Sequence, residues 1–155
     1  MDSIAEKYNL LVSQLRELID TDDDFLPVLS NASALLWEAL DRINWAGFYI
    51  VRDDRLVLGP FQGKVACIHI AKGRGVCGTA WERNETLRVP DVHLFPGHIA
   101  CDSASRSEIV IPIRRNDEVV AVLDIDSPFT GRFTCDDQEG LERFADLIGR
   151  ETRWG

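Results

Sequence analysis

No apolar run in this 155-residue sequence approaches the roughly 20 residues that a membrane-spanning helix needs. The first residues, Met1-Asp2-Ser3-Ile4-Ala5-Glu6-Lys7, lack the basic-then-apolar order of a secretory signal. A cytoplasmic chain with no membrane partner is therefore expected. Positive charge is also short: 17 lysines and arginines face 26 aspartates and glutamates, for a net charge of −9. That deficit argues against nonspecific binding to nucleic acid or to anionic lipid. Repeats, low-complexity tracts and internal linkers are missing, so residues 1–155 are expected to form one domain. The four cysteines, Cys67, Cys77, Cys101 and Cys135, include no Cys-x-x-Cys knuckle, and no His-x-x-x-His accompanies them. No metal site is thus encoded locally. A reducing compartment also excludes a permanent disulfide framework, which leaves packing or redox chemistry to explain these residues.

What is present suits a folded core. Hydrophobic residues make up 45% of the chain and charged residues 28%, close to globular averages. Ile4, Tyr8, Leu11, Leu15 and Ile19 recur at three- and four-residue spacings, which predicts an amphipathic helix over 3–20 capped by Asp2 or Ser3. A second helix is expected over 31–40, with Leu36, Leu40 and Ile43 on one face. From Trp45 the period changes. Two strands, 45–51 and 55–59, flank Asp53-Asp54 as a hairpin, and 65–70 reads as a further strand. The glycine-rich stretch 72–81 turns into a short helix, and 90–107 is a long irregular connection of the kind that often carries function. Strands at 108–113 and 119–126 form a second hairpin around Asn116-Asp117. A final helix spans 135–150, and with the first helix it offers a surface for a homodimer. The order predicts an α+β domain whose central sheet is mostly antiparallel, with helices packed on it.

Two groups of residues suggest chemistry. Cys67 lies inside an apolar run and reads as a small buried hydrophobe. Cys101 lies in Gly97-His98-Ile99-Ala100-Cys101-Asp102-Ser103-Ala104-Ser105, where small and polar neighbours leave a sulfur accessible among backbone N–H groups, a setting that favours the nucleophilic thiolate. Asp124 and Asp126 are two apart in a strand and project from one face, while Leu123 and Ile125 point to the other. They are either a solvated edge or, with Glu108 on the neighbouring strand, a carboxylate cluster that binds an ammonium or keeps a proton at neutral pH. Trp45, Phe48 and Tyr49 are either core aromatics or the walls of a small apolar pocket.

Several ungapped blocks closely resemble the free methionine-(R)-sulfoxide reductases, which are single GAF-domain enzymes. The blocks are Asn44-Trp45-Ala46-Gly47-Phe48-Tyr49, Leu58-Gly59-Pro60-Phe61-Gln62-Gly63-Lys64, Gly73-Arg74-Gly75-Val76-Cys77-Gly78-Thr79-Ala80, Gly97-His98-Ile99-Ala100-Cys101-Asp102, Ser107-Glu108-Ile109-Val110 and Leu123-Asp124-Ile125-Asp126-Ser127. The likeness covers essentially the whole chain and is densest between residues 44 and 133. It implies a GAF fold, with a central antiparallel sheet and helices on both faces, and no bound cofactor or metal. It implies that Cys101 attacks the sulfur of free methionine sulfoxide, that Cys67 resolves the resulting sulfenic acid as a disulfide, and that Cys77 plays a secondary part. Thioredoxin or a similar dithiol would reduce that disulfide. Trp45 and Tyr49 are implied as pocket walls, and Glu108, Asp124 and Asp126 as polar contacts to the substrate. Cys135 lies outside the three-cysteine set and is expected to be a bystander. The competing expectation is a GAF-type sensor of a small ligand or of redox state, without turnover.

Overall fold

The computed structural model describes residues 3–98 and 104–155. The elements run α1 (Ile4–Thr21), α2 (Phe25–Ala39), β1 (Trp45–Arg52), β2 (Arg55–Gly63), β3 (His69–Ala71), α3 (Gly75–Arg83), β4 (Leu87–Val89), a 3-10 turn (Val92–Leu94), β5 (Ser107–Arg115), β6 (Glu118–Ser127) and α4 (Cys135–Glu151). One six-stranded sheet has the order β3-β2-β1-β6-β5-β4, and each neighbouring pair is antiparallel. The two hairpin turns form as expected. Asp53 and Asp54, and Asn116 and Asp117, all have positive φ, as a tight two-residue turn between twisted strands requires.

Strand alternation divides the molecule into two cores. Ala46 and Phe48 of β1, Ile109, Ile111 and Ile113 of β5, and Ala121, Leu123 and Ile125 of β6 point to one face, where α1, α2 and α4 cover them. Trp45 and Tyr49, Val110 and Val122 point to the other face, which α3 and the loop before β3 cover. Helices therefore lie on both sides of the sheet. Phe48 belongs to the first core and is fully buried, so of the three candidate aromatics only Trp45 and Tyr49 face the second side. The apolar stripes of α1 and α4 face each other and the sheet. Their approach is close: a Cβ at Gly140 would run into the Tyr8 ring. No helix among the described residues is long and apolar enough to cross a membrane.

Three elements differ from the sequence expectation. The second helix begins at Phe25, six residues earlier than predicted, and includes Pro27 in its first turn. Proline is tolerated there because the first N–H groups of a helix have no intrahelical partner. The strand expected over 65–70 reduces to His69–Ala71, and Val65 is 89% exposed. The apolar letters before His69 belong to a loop rather than to the ladder. Conversely, Leu87–Val89 is a three-residue edge strand, too short for alternation to reveal. The stretch after it contains the 3-10 turn, whose first N–H groups include one from His93 that donates to the Asp91 carboxylate at 3.0 Å.

A buried polar network locks α4 to the rest. Asp137 accepts from the Tyr8 hydroxyl at 2.7 Å, from the Thr134 N–H at 2.9 Å and from the Arg132 guanidinium at 3.2 Å. Arg132 also donates to the Asp41 backbone carbonyl at 3.0 Å, which ties in the connection between α2 and β1. Burial works to raise the Asp137 pKa, but the bonds from Thr134 and Tyr8 and the Arg132 charge outweigh it and hold the carboxyl below its ordinary value. A depressed carboxylate adds stability that is present above its unfolded pKa, about 3.9, and is lost as pH falls through the lower folded value. Asp137→Asn should leave a buried guanidinium partly uncompensated. The expected loss is about 3 kcal/mol, read as a fall in Tm of roughly 6–12 °C in a thermal melt. An unchanged Tm would show that Asp41 alone suffices for Arg132.

Candidate active site

The second face of the sheet carries a pocket. Its floor is the register of three central strands: Glu108 of β5 pairs with Asp126 of β6, Asp126 pairs with Trp45 of β1, and Asp124 lies two residues along the same face. Its walls are Trp45 and Tyr49, stacked with ring centroids 5.9 Å apart, and its far side includes His98 and Ser105. Its roof is the start of α3, from Arg74 to Cys77, together with Val65 and Ala66. The glycines in Lys72-Gly73-Arg74-Gly75 make this roof possible. Gly75 has φ +61°, in the region open to glycine, and it turns the chain sharply into the helix that lowers Cys77 onto the carboxylates.

Both aromatic walls also hold a loop in place. The Trp45 indole N–H donates to the Lys64 carbonyl at 3.0 Å, and the Tyr49 hydroxyl donates to the Cys67 carbonyl at 2.9 Å. Burial, then the charge of Asp124, raises the Tyr49 pKa, so the phenol keeps the proton that this bond needs. Cys67 is therefore not the buried strand residue that its apolar neighbours suggested. It sits half-buried on a loop anchored by Tyr49, and its sulfur is in a disulfide. Cys77 and Cys135 are free thiols. Cys135 is exposed at the first turn of α4, where the Arg88 guanidinium donates to its Sγ at 3.2 Å, on a side of the molecule that does not line the pocket. Cys101, the residue expected to be the nucleophile, lies outside the described residues.

The electrostatics of the floor are unusual. Glu108, Asp124 and Cys77 are 7%, 5% and 5% exposed. No lysine or arginine among the described residues forms an ion pair with Glu108 or Asp124. Asp124 Oδ1 is buried with no fixed N–H or O–H donor. The groups that meet this carboxylate are themselves acids, the Glu108 carboxyl and the Cys77 thiol. Burial, then the charges of Asp124 and Asp126, pushes Glu108 well above the carboxylate range. Burial, then Asp124 and Glu108, pushes the Cys77 thiol well up. Burial raises Asp124 too, opposed by the hydrogen bonds from Glu108 and Cys77. The cluster therefore favours its protonated forms: burial biases Glu108 toward the neutral acid, which can donate to Asp124, and Cys77 toward the thiol. Of the two readings, the buried cluster describes Asp124, while Asp126 is half-buried at its margin.

Six of the eight sequence-derived site residues thus meet in one pocket: Trp45, Tyr49, Cys77, Glu108, Asp124 and Asp126. Reasoning from the residues assigned no role to Arg74, His98 or Ser105, which also line it. The only available signal was their place inside the glycine-rich blocks and next to Cys101. Burial, then His93, lowers the His98 pKa and favours the neutral imidazole.

The GAF domain family matches residues 5–151. The free methionine-R-sulfoxide reductase of Escherichia coli (strain K12) is 55% identical over 139 residues, which covers 90% of this chain and 84% of that protein. The chain belongs to the free methionine-R-sulfoxide reductase family of GAF domains. Solved structures of the family agree. The fRMsr of Staphylococcus aureus in complex with substrate superposes with a TM-score of 0.89 at 49% identity, covering 94% of this chain and 95% of that one. The free methionine-R-sulfoxide reductase of Neisseria meningitidis in complex with its substrate gives a TM-score of 0.91 at 40% identity, covering 96% and 89%.

The raised Glu108 pKa makes a stability prediction with a definite sign. Between the unfolded glutamate value, about 4.3, and the higher folded value, the native state keeps a proton that the unfolded chain has released. The Glu108 contribution is present below the unfolded pKa and is lost as pH rises through the folded one. Glu108→Gln mimics the protonated acid and still donates to Asp124. It should therefore melt higher than the unsubstituted protein at pH 8 and close to it at pH 4. A lower Tm at pH 8 would mean that Glu108 is ionised and stabilising there.

Proposed function

We propose that this chain reduces the R epimer of free methionine sulfoxide to methionine, through a cysteine sulfenic acid and a disulfide recycled by thioredoxin or a similar dithiol. The observation that carries this reading is the buried cluster of Glu108, Asp124 and Cys77 under two aromatic walls, with no lysine or arginine ion-paired to Glu108 or Asp124 among the described residues. Such a floor suits a ligand that brings an ammonium and needs a proton. Free methionine sulfoxide brings its α-ammonium, and its S–O oxygen must accept protons to leave. The free methionine-R-sulfoxide reductase of Escherichia coli and the substrate complexes of the Staphylococcus aureus and Neisseria meningitidis relatives support the same reading.

The steps follow from the chemistry of each group. The Cys101 thiolate attacks the sulfoxide sulfur while Glu108, the member of the cluster that holds a proton, delivers it to the oxygen. Methionine leaves and the oxygen remains on Cys101 as a sulfenic acid. The Cys67 thiol then attacks the Cys101 sulfur, water departs and a disulfide forms. Cys67 is in a disulfide while Cys77 and Cys135 are free thiols, which supports Cys101 as its partner. An incoming dithiol opens that bond by thiol exchange, a reaction at home in the cytoplasm, where such reductants are maintained. Asp124 and Asp126 neutralise the ammonium, and loop amides bind the α-carboxylate. The same methionine side chain inside a polypeptide has neither charged group, and its entry would leave the buried acids unpaired. Cys77, kept as a thiol by burial, is no nucleophile; its role is to donate to Asp124.

The reduced protein should consume free methionine-(R)-sulfoxide with thioredoxin or dithiothreitol and leave the S epimer untouched. Absence of turnover would sink the proposal. Cys101→Ser should form no methionine even in a single turnover. Cys67→Ser should release one methionine per chain and then stall with thioredoxin, and sustained cycling would refute its resolving role. Glu108→Gln should lower kcat/KM by roughly 10²–10⁴, the range of a lost general acid, without preventing disulfide formation by an external oxidant.

A further inference from the structure

The same floor has the donors of a metal site. Cys77 Sγ, a Glu108 oxygen and an Asp124 oxygen all lie within 4.8 Å of one another, and all three residues are buried. They come from α3, β5 and β6, elements held rigidly by the sheet register and by packing, so the three atoms converge without a flexible segment. A zinc ion at about 2.3 Å from sulfur and about 2.1 Å from oxygen spaces its ligands by roughly 3.5 Å. Closing the trio onto such an ion takes side-chain shifts of about an ångström. A second observation points independently to a cation. Asp124 Oδ1 is buried, belongs to a residue that lines the pocket and has no hydrogen-bond partner among the described residues.

We propose that Cys77, Glu108 and Asp124 form a three-ligand site for a single Zn2+ ion, whose occupancy blocks the pocket. A thiolate with two carboxylates is a donor set for a borderline ion. Mg2+ and Ca2+ take six or more oxygens and gain little from sulfur. The fourth position faces the pocket and is left to water. A divalent ion there occupies the carboxylates that the proposed function gives to an ammonium and removes the proton that Glu108 carries, so ion and substrate exclude each other. The site does not depend on the redox state of Cys67, because Cys77 is a free thiol while Cys67 is in its disulfide.

Cobalt(II) tests the ligand set directly, on the chain oxidised at Cys67, in which Cys77 and Cys135 are the free thiols among the described residues. Titration should bind one Co2+ per chain with a thiolate-to-cobalt charge-transfer band in the near ultraviolet. Zn2+ should displace it stoichiometrically, and Mg2+ in large excess should not. Cys77→Ser should remove the band and Cys135→Ser should leave it intact. Asp124→Asn is the second handle: Zn2+ should raise the Tm of the unsubstituted protein and leave the variant unshifted, with binding weakened by roughly tenfold or more. Failure to bind one ion, a band that survives Cys77→Ser or vanishes in Cys135→Ser, or displacement by Mg2+ would overturn the site. Blocking of the pocket rests on the reductase reading and is measured separately, as loss of thioredoxin-driven turnover that a chelator restores. A chain that binds cobalt through Cys77 but reduces no sulfoxide keeps the metal site and loses the function. One that reduces sulfoxide and binds no cobalt does the reverse.

Discussion

Glu108, Asp124 and Asp126 are forced together by backbone pairing, and the rest of the site follows from that crowding. Cross-strand neighbours on one face of an antiparallel pair stand about 5 Å apart, so the register of Glu108 opposite Asp126 leaves no freedom to separate the acids. Cys77 is added from above by α3. In water the three carboxyl groups would ionise and repel. Beneath the roof it loses solvent, and burial sets the outcome for each member: Glu108 and Cys77 keep their protons, and Asp124 takes the hydrogen bonds they donate. A neutral carboxylic acid at neutral pH is a reagent, and an uncompensated buried carboxylate is a binding site for positive charge. Both properties have one physical origin.

Holding such a cluster requires a scaffold that does not yield. The opposite face of the same strands supplies it, since Leu123 and Ile125 alternate with Asp124 and Asp126 and are fully buried under α1, α2 and α4. Moving the acids apart would mean sliding β6 by a residue, which would turn its apolar side chains toward the pocket and its aspartates into the core. The Asp137 network adds a second restraint by fixing the start of α4 to Tyr8 and Arg132. The two buried acid clusters show opposite logic. Asp137 has an arginine and fixed donors and is held below its ordinary pKa, so it is structural. Among the described residues Glu108 and Asp124 meet other acids, each other, Cys77 and Asp126, and no ion-paired arginine or lysine, so they remain available to a ligand.

The aromatic walls link this floor to the proposed redox chemistry. Trp45 and Tyr49 each have an apolar body facing the pocket and a polar tip that grips the loop carrying Cys67. The cysteine proposed to resolve the sulfenic acid is thus positioned by the same two residues proposed to enclose the substrate. A loop held by a few hydrogen bonds, rather than a strand built into a ladder, suits a sulfur proposed to alternate between a thiol and a disulfide.

Alternation and turn chemistry in the sequence were enough to determine the hairpins, the opposite facing of Asp124 and Leu123, and the three long helices, because these depend on near neighbours along the chain. The family's ungapped blocks pointed to the cysteines and carboxylates as a set. Local pattern misled where the apolar letters of 65–70 suggested a strand, since nothing in Val65 or Cys67 itself tells whether a partner strand extends far enough to pair with them. Phe48 and Tyr49 are adjacent and equally aromatic, yet they serve opposite faces, and only the sheet's position decides which face is core and which is pocket. Tertiary structure alone determined that Cys77, on a helix far from the hairpin that carries Glu108 and Asp124, shares one desolvated space with them. Residue type sets which groups can hold a proton; burial and neighbouring charge, which exist only in the folded chain, decide which of them do.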